Sequence, residues 1–356
     1  MQEFDYTSLQ LVNAHAERTQ ARYRQLAEHF QVNEVLPFSP AGEGPHVMLQ
    51  ITKTNTNTDW LAKTLADYAG VNEVDIGFAG LKDRHAVTTQ WFTINTEGKA
   101  DVDWSQFNVD NCQIITETRH NKKLKRGALS GNEFNLIIEP TSGDKQDWEQ
   151  MLQHVKKHGV PNYFGEQRFG FQLNNLRAVE AWFTHRRKPK SRLTKSLLIS
   201  SARSWLFNLV LSERIKQNNW NTYLIGDVMQ LAGSHSSFKT TSNDDDLIKR
   251  LNEFDIDPTG PLWGQGELPS AEQCLSLEEN VLDAWPSWKK GLENQRLKQE
   301  RRALRVRPES FEWQWNNQQL KLSFFLPAGC FATSVLRELA VMDDVSQRNS
   351  ISTHSS

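Results

Sequence analysis

The chain has 356 residues, of which 38% are hydrophobic and 24% are charged, and its formal net charge at pH 7 is −2. This length suits two domains, and no apolar run approaches the length of a membrane span, so we expect no transmembrane helix. The three cysteines, Cys112, Cys274 and Cys330, form neither a metal-binding spacing nor a disulfide framework, so we expect reduced thiols and a cytoplasmic protein.

Two strands and one helix are predicted in the first 70 residues. Apolar side chains alternate with other residues over positions 30–35 and again over positions 47–51, as in half-buried strands. Residues 58–69 (TDWLAKTLADYA) carry apolar side chains at helical spacing. Thr58 is a suitable N-cap for this helix, and Gly70 is well placed to end it.

The next predicted strand, residues 76–78, leads into a loop in which one acid stands between two cations. Lys82, Asp83 and Arg84 come directly after a small-residue turn, and residues 88–94 predict the following strand. A bare Lys-Asp-Arg tripeptide is ordinarily a surface ion pair of little energetic weight. A loop held between two strands is, however, a setting in which catalytic groups concentrate. The pattern alone leaves both interpretations open.

A clean alternation over residues 131–138 (GNEFNLII) predicts another strand. Asn132 and Phe134 share one parity with Leu136 and Ile138, so an amide and an aromatic ring project from the same face. The ordinary interpretation makes that face part of the core and Asn132 a residue at a strand edge.

The pattern becomes helical between residues 159 and 306. Residues 197–216 are apolar at helical spacing, and strand patterns return at residues 319–326, before a turn and a short helix within residues 326–339. A strand-rich start, a helical middle and a return to strands predict one domain interrupted by another. We expect the polar residues 345–356 to form a disordered tail.

Two basic segments contrast with an acidic remainder. Residues 119–126 (RHNKKLKR) hold five Lys or Arg, residues 181–212 hold seven, and neither segment holds an acid. Such segments can neutralise RNA phosphates, and each contact adds affinity through counterion release. Solvated loops or a basic helix face are the alternative interpretation. The candidate phosphate-binding residues are Lys122, Lys123, Lys125, Arg126, Arg186, Arg187 and Lys188.

No motif supports metal, nucleotide or dinucleotide chemistry. The sequence has no P-loop, GxGxxG, HExxH, paired CxxC or GxSxG. His85, His120 and His185 are isolated, so each is better interpreted as a surface, packing or RNA-contact residue than as a metal ligand. We therefore expect no metal and no cofactor.

Five segments, in the expected order, resemble the TruD family of tRNA pseudouridine synthases. They are GFAGLKDRHAVTTQWF (77–92), GALSGNEFNLII (127–138), VPNYFGEQRFG (160–170), SSARSWLFN (200–208) and LPAGCFATSVLREL (326–339). The resemblance implies an α+β fold, in which a pseudouridine-synthase catalytic domain with a mixed, mainly antiparallel sheet is interrupted by a family-specific α/β insertion domain. The implied boundaries are residues 1–158 and 307–344 for the catalytic domain and residues 159–306 for the insertion domain.

The resemblance also implies an activity and a set of site residues. The family isomerises uridine to pseudouridine in RNA, typically at position 13 of tRNA, and needs no cofactor. Asp83 is implied as the catalytic aspartate, because it occupies the Asp of the family's GxKDxxAxTxQ pattern. His29 stands where the family usually has Asp. This departure affects the expected cap of the strand that starts at Phe30, and it does not affect the chemistry. Phe30, Asn132 and Phe331 match residues with which the family holds the substrate nucleotide, and Phe134, the Phe of its Gly-Asn-x-Phe pattern, is a candidate wall of the uracil site.

The reaction explains why these residue types are needed. Breaking the N1–C1′ bond leaves an electron-poor sugar carbon, which the carboxylate of Asp83 can stabilise or attack. Three roles stay open for Lys82 and Arg84, namely keeping that carboxylate ionised, contacting the RNA, and structural pairing. Aromatic walls keep the detached uracil away from water, and an amide suits its Watson–Crick edge because it offers both a donor and an acceptor. The uridine must first be turned out of the folded tRNA.

The expected partner is tRNA, bound by a monomer that has no obligate protein partner and no membrane contact. Two other functions stay open, namely a catalytically silent RNA-binding protein of the same fold and a base-releasing RNA glycosidase. The sequence does not decide whether Asp83 attacks the sugar or the uracil ring. It also does not decide whether Glu166, Gln167 and Arg168 belong to a packed junction between domains or line the RNA cleft.

Overall fold

Strands and helices occupy most of the chain in the computed structural model, which describes residues 3–12, 19–99, 101–234, 236–241 and 245–346. The strands are β1 (Gln20–Tyr23), β2 (Phe30–Val35), β3 (His46–Thr54), β4 (Ile76–Phe78), β5 (Val87–Asn95), β6 (Cys112–His120), β7 (Gly131–Ser142), β8 (Val160–Pro161), β9 (Val228–Leu231), β10 (Ser237–Lys239), β11 (Ile256–Leu262), β12 (Glu300–Ala303), β13 (Arg305–Val306), β14 (Glu309–Asn316), β15 (Gln319–Pro327) and β16 (Val341–Asp344). The α-helices are α1 (Thr58–Ala69), α2 (Lys145–His158), α3 (Asn174–Phe183), α4 (Arg192–Lys216), α5 (Asp245–Asn252), α6 (Glu272–Leu282), α7 (Pro286–Glu293) and α8 (Ala332–Arg337).

The largest sheet of the described chain has ten strands and mixed direction. Its main path runs β14-β15-β7-β2-β5-β3-β6, while β1 pairs with both β7 and β16, and β4 pairs with β5. The β1–β16 and β2–β5 pairs are parallel, and the other pairs of this sheet are antiparallel. The α+β class with a mixed, mainly antiparallel sheet is therefore confirmed.

The chain divides into two compact units, which we name by their content. The sheet unit comprises Arg18–Asp144, Pro308–Gly329 and Ala340–Ser356, and the helical unit comprises Met1–Glu17, Lys145–Arg307 and Cys330–Leu339. The assignment of residues 1–158 and 307–344 to a catalytic domain, and of residues 159–306 to an insertion domain, stays a prediction. Of the predicted tail, residues 347–356 lie outside the described residues.

Helix α1 closes one side of the core of the sheet unit. It spans the predicted residues 58–69 and ends at Gly70, whose φ of 61° is the left-handed conformation that glycine adopts without strain. Its N-cap is Asn57 and not Thr58, because Asn57 has the extended backbone that precedes a helix. Leu61 and Leu65 are fully buried among side chains of β3 and β5, and each burial contributes about 1.5–3 kcal/mol.

Helix α4 organises the core of the helical unit. It starts at Arg192, five residues before the predicted 197–216, because the Ser191 hydroxyl accepts a hydrogen bond from the Thr194 amide and caps it. The same unit holds a four-stranded sheet, β10-β9-β11-β12. The sequence pattern did not predict this sheet, since β11 contains Pro258 and Pro261, which argue against a strand. Among the described residues, no helix is both long enough and apolar enough to cross a membrane.

Candidate active site

Asp83 lies in the loop between β4 and β5, and hydrogen bonds to Thr58 and Gln90 hold this loop in place. The Thr58 hydroxyl accepts a hydrogen bond from the Lys82 amide at 3.1 Å and donates one to the side chain of Gln90 at 2.9 Å. Gln90 in turn donates to the carbonyl of Gly80 at 3.3 Å. These contacts tie the loop to α1 and β5, while the Asp83 side chain stays 48% exposed. Asp83 is thus an accessible carboxylate on an ordered support.

Lys82 is engaged by a different carboxylate. Its Nζ lies 2.5 Å from Oε2 of Glu34 on β2, and the two side chains are 5% and 0% exposed. The other oxygen of Glu34 accepts the backbone amide of Trp91 at 3.1 Å. Of the roles open to Lys82, the structure therefore shows structural pairing, and the partner is Glu34 and not Asp83. Arg84 is exposed, and within the described residues it forms no ion pair with Asp83 either.

The cation that does pair with Asp83 is Arg24, which the sequence interpretation missed. Nη2 of Arg24 lies 2.8 Å from Oδ2 of Asp83, across 59 positions of the chain. Arg24 stands between β1 and β2 with a φ of 58°, a conformation that non-glycine residues adopt rarely. No motif surrounds it in the sequence. Only the pairing of β1 with β7 and β16 brings it to this place.

Arg24 is itself held on three sides. Its Nη1 lies 3.0 Å from the carboxylate of Asp344, which also accepts the Tyr23 hydroxyl at 3.0 Å. Its guanidinium carbon lies 3.9 Å from the ring centroid of Phe30, a cation–π distance. Burial acts to lower the pKa of Arg24, but Asp83, Tyr23 and Asp344 outweigh it and raise that pKa. A fixed positive charge therefore stands beside Asp83.

Phe30 and Phe134 form an aromatic layer beneath Arg24. They are 1% and 6% exposed, and their ring centroids lie 6.3 Å apart in an edge-to-face arrangement. Phe134 also stacks on Phe324 at 5.3 Å. The structure thus brings the predicted residues Phe30 and Phe134 together with the Arg24–Asp83 pair, through the contact of Arg24 with Phe30.

Asn132 occupies the middle of the sheet. It pairs with Glu34 of β2 on one side and with Leu326 of β15 on the other, so the ordinary interpretation as a strand-edge residue was wrong. Glu34 is also the partner of Lys82, which places Asn132 one strand away from the loop of Asp83. Oδ1 of Asn132 is buried and has no hydrogen-bond partner among the described residues. Such an acceptor is costly unless a ligand or water supplies a donor.

Phe331 belongs to the helical unit, where it is the N-cap of α8. Its ring centroid lies 6.2 Å from that of Phe164 and 5.8 Å from the guanidinium carbon of Arg168. Nη1 of Arg168 donates to the Ser200 hydroxyl at 3.3 Å, and burial lowers the pKa of Arg168. Phe331 therefore sits in an aromatic and cationic cluster of its own unit.

The predicted phosphate-binding residues lie on two exposed connections. In the sheet unit they occupy the connection between β6 and β7, where the Lys123 ammonium donates to the carbonyl of Val74 and the guanidinium of Arg126 lies 3.9 Å from the Phe78 ring centroid. In the helical unit they occupy the connection between α3 and α4. The exposed residues among them are Lys122, Lys125, Arg126, Arg186, Arg187 and Lys188.

The chain is similar to known proteins of one family. The family model described as tRNA pseudouridine synthase D (TruD) matches residues 8–190 and 188–339. Among relatives called tRNA pseudouridine synthase D, that of Nitrosococcus oceani is 47% identical over 88% of each chain, and that of Aeromonas hydrophila is 48% identical over 88% of each chain. A crystal structure from Methanosarcina mazei, described as TruD, superposes with a TM-score of 0.68 over 92% of this chain and 95% of that one, at 21% identity. This last likeness shows the fold.

Proposed function

This chain belongs to the tRNA pseudouridine synthase D (TruD) family, and from that premise we propose that it isomerises uridine to pseudouridine in tRNA, at position 13. The observation that carries the proposal is the exposed Asp83 carboxylate held at 2.8 Å by Arg24, a largely buried arginine whose guanidinium lies over the Phe30 ring. An accessible carboxylate beside a fixed cation suits chemistry at a glycosidic carbon. A tRNA substrate also favours a cytoplasmic location.

The reaction balances without any added reagent. The carboxylate of Asp83 promotes cleavage of the N1–C1′ bond, by attack on the sugar or on the uracil ring. The detached uracil turns, its C5 bonds to C1′, the proton leaves C5, and N1 ends protonated. The product is an isomer of the substrate, so no oxidant, reductant or cofactor is consumed. The protein has to hold the uracil during the rotation and keep water away from C1′.

Arg24 serves as a positioning residue in this proposal. Its contacts with Asp344 and with the Phe30 ring fix the guanidinium before substrate arrives. The guanidinium then orients the Asp83 carboxylate, and it stands near the place where negative charge develops on the detached uracil. Because Arg24 is preorganised, the pair needs little rearrangement in the transition state.

Asn132 serves to read the uracil. Its Oδ1 has no partner among the described residues, so an N–H group of the base supplies the donor that it lacks. Phe30 and Phe134 provide the apolar floor on the same side of the sheet unit, and Phe331, in the helical unit, stays a predicted substrate-holding residue on the strength of its family motif alone. In this arrangement aromatic stacking retains the detached uracil, and the amide of Asn132 selects uracil by hydrogen bonding.

Binding of tRNA rests on the two basic connections, with the protein acting as a monomer. Lys122, Lys125 and Arg126 in the sheet unit are exposed, as is the group formed by Arg186, Arg187 and Lys188 in the helical unit. Each phosphate contact adds affinity and salt dependence without reading sequence. Lys82 is already paired with Glu34. It therefore contributes to the site by fixing the conformation of the loop that carries Asp83.

The proposal is tested with purified protein and an unmodified tRNA transcript. Pseudouridine should form at position 13 without added metal, and free uracil should not accumulate. Release of free uracil would show a base-releasing glycosidase, and tight binding without any product would show a silent RNA-binding protein. Mapping of modified uridines in total tRNA, from cells with and without the gene, then identifies which tRNAs are substrates.

A further inference from the structure

A cavity of about 730 Å³ lies in the sheet unit, outside the site of Asp83. It opens where Phe38, in the loop between β2 and β3, meets the start of β3 and the end of β6. Its volume falls in the range of about 300–1,000 Å³ that is common for small-ligand sites. None of the described residues that line it is acidic. The lining residues are Phe38, His46, His120, Asn121, Lys122, Lys123, Leu124, Lys125 and Ala128.

One wall of this cavity is aromatic and preorganised. The Phe38 and His120 rings stack with centroids 4.8 Å apart and an interplanar angle of 12°, and Phe38 is still 36% exposed. Nδ1 of His120 accepts the backbone amide of Ala41 at 3.1 Å, which fixes the imidazole. Gly44 lets the same loop pack closely against the backbone of His120, since a Cβ at this position would lie 2.5 Å from the His120 carbonyl oxygen. The stack therefore presents a ready-made flat surface.

The other wall is cationic. Lys122 and Lys125 are exposed, and neither forms an ion pair with any residue that the structure describes. Lys123 is engaged by the carbonyl of Val74 and is less free to turn inward. Burial, together with His120 and Lys123, lowers the pKa of His46 and so disfavours a positive charge on that imidazole. The positive charge that a ligand meets comes from the two free lysines.

This cavity is continuous with the support of Asp83. The segment that forms its cationic wall packs on β4, where a Cβ at Gly77 would lie 2.5 Å from the carbonyl of Leu124. The Gly127 amide donates to the carbonyl of Ala79 at 2.7 Å, directly before the loop of Asp83. The cavity and the loop of Asp83 therefore share this support but lie apart along it, since His46 pairs with Asn95 at the end of β5 while Asp83 precedes its start at Val87.

We propose that this cavity binds one unpaired nucleotide of the substrate RNA other than the target uridine. Its base stacks on the Phe38–His120 pair, and its phosphate lies between Lys122 and Lys125. A flat aromatic surface beside unpaired lysines is the combination that binds single-stranded nucleotides, with stacking that tolerates any base. The inference rests on the proposed function, and it adds a second anchoring point that holds the RNA while the target uridine is turned outward.

The test combines protein variants with altered RNA. Phe38→Ala should raise the Kd for an unmodified tRNA transcript about tenfold, Phe38→Trp should restore it, and Lys122→Ala/Lys125→Ala should weaken binding and flatten its salt dependence. Lys63→Ala, which removes an exposed lysine of α1 outside the cavity, is the matched control and should leave the Kd within twofold.

The decisive step uses tRNAs that each lack the base at one unpaired position. For wild-type protein, one such position should weaken binding about tenfold, and the same tRNA should cause no further loss with Phe38→Ala. If wild-type protein forms pseudouridine but no position is coupled to residue 38, the cavity is at most a phosphate contact and the inference is overturned. If wild-type protein forms no pseudouridine from any tRNA, the proposed function fails instead.

Discussion

The guanidinium of Arg24 lies 2.8 Å from the carboxylate of Asp83, although 59 positions separate the two residues in the chain. Arg24 is nearly buried, with 12% of its side chain exposed, while Asp83 is 48% exposed. The pair therefore connects an ordered cation at the sheet core to a carboxylate that a substrate can reach. Its geometry depends on Asp344 and Phe30, which hold the other sides of the guanidinium.

Replacement of Arg24 should reduce turnover more than binding. Arg24→Gln removes the charge that orients Asp83, so we expect kcat for pseudouridine formation to fall about 100-fold while the Kd for tRNA changes less than threefold. Arg24→Lys keeps a charge but not the two-sided contact with Asp83 and Asp344, and it should recover only part of the activity. Single-turnover kinetics and a binding titration separate the two effects. Equal losses in kcat and in affinity would mean that Arg24 serves the RNA and not the carboxylate.

Much of the sheet unit was predictable because its signals are local. Alternation predicted the strand at residues 30–35 and the one at residues 131–138, and helical spacing predicted residues 58–69, each of which the structure contains. Asp83 was predicted as the catalytic aspartate from a motif that needs no knowledge of the fold, and this assignment stays a prediction. The neighbours of each strand were not predictable in this way, because pairing is decided by the whole sheet.

The partners of the charged residues could not be predicted for the same reason. Adjacency in the sequence suggested that Lys82 supports Asp83, but Glu34 lies opposite on β2 and takes the lysine. Arg24 reaches Asp83 only because β1 joins the sheet beside β7 and β16. An interior position for Asn132 likewise follows from β2 and β15 flanking β7. Long-range pairing, and not residue type, determined these outcomes.

The Lys82–Glu34 pair should contribute to stability. Lys82→Met leaves the Glu34 carboxylate buried with the Trp91 amide as its remaining partner, so we expect the free energy of unfolding to fall by about 3–5 kcal/mol. Arg84→Ala removes a neighbouring exposed cation and should change it by less than about 0.5 kcal/mol. Urea denaturation of both variants measures the difference. A stable Lys82→Met protein with weak tRNA binding would instead support a direct RNA contact by Lys82.

Asn132 should matter for catalysis and not for folding. Asn132→Ala removes a buried acceptor that has no partner among the described residues, so the free energy of unfolding should stay within about 1 kcal/mol or rise. If the amide reads uracil, kcat/KM for tRNA should fall about 10- to 100-fold, through loss of a hydrogen bond that a buried base requires. Thermal unfolding and steady-state kinetics on the same preparation test both statements. A large loss of stability with unchanged kcat/KM would make Asn132 a structural residue.

Lys53 provides a dependence of stability on pH. Its side chain is 1% exposed and its Nζ donates to the Thr56 carbonyl at 2.6 Å. Burial lowers the pKa of Lys53 from 10.5 to about 8, despite the opposing effects of Cys112 and Asp83. Below pH 8 the folded protein carries the cost of a buried charge. Between pH 8 and 10.5 the folded state loses this proton while the unfolded state keeps it, so stability from Lys53 rises with pH.

The comparison of wild-type protein with Lys53→Met isolates this effect. The free energy of unfolding of the variant, minus that of wild type, should decrease steadily as the pH rises from 8 towards 10.5. Urea denaturation at four pH values between 7 and 10 measures this difference, and titrations elsewhere in the protein cancel in the subtraction. A difference that does not change with pH would show that the ammonium of Lys53 is solvated in the folded protein.

The most direct test of the account is the activity of Asp83→Asn. This substitution keeps the size of the side chain and removes its charge, so tRNA should bind with an affinity within about threefold of wild type. Pseudouridine formation in a single-turnover assay should fall by about 10⁴-fold or more, as expected when a reacting carboxylate is lost. Asp67→Asn, an exposed aspartate of α1, is the matched control and should retain wild-type turnover. Turnover by Asp83→Asn near the wild-type rate would contradict the account.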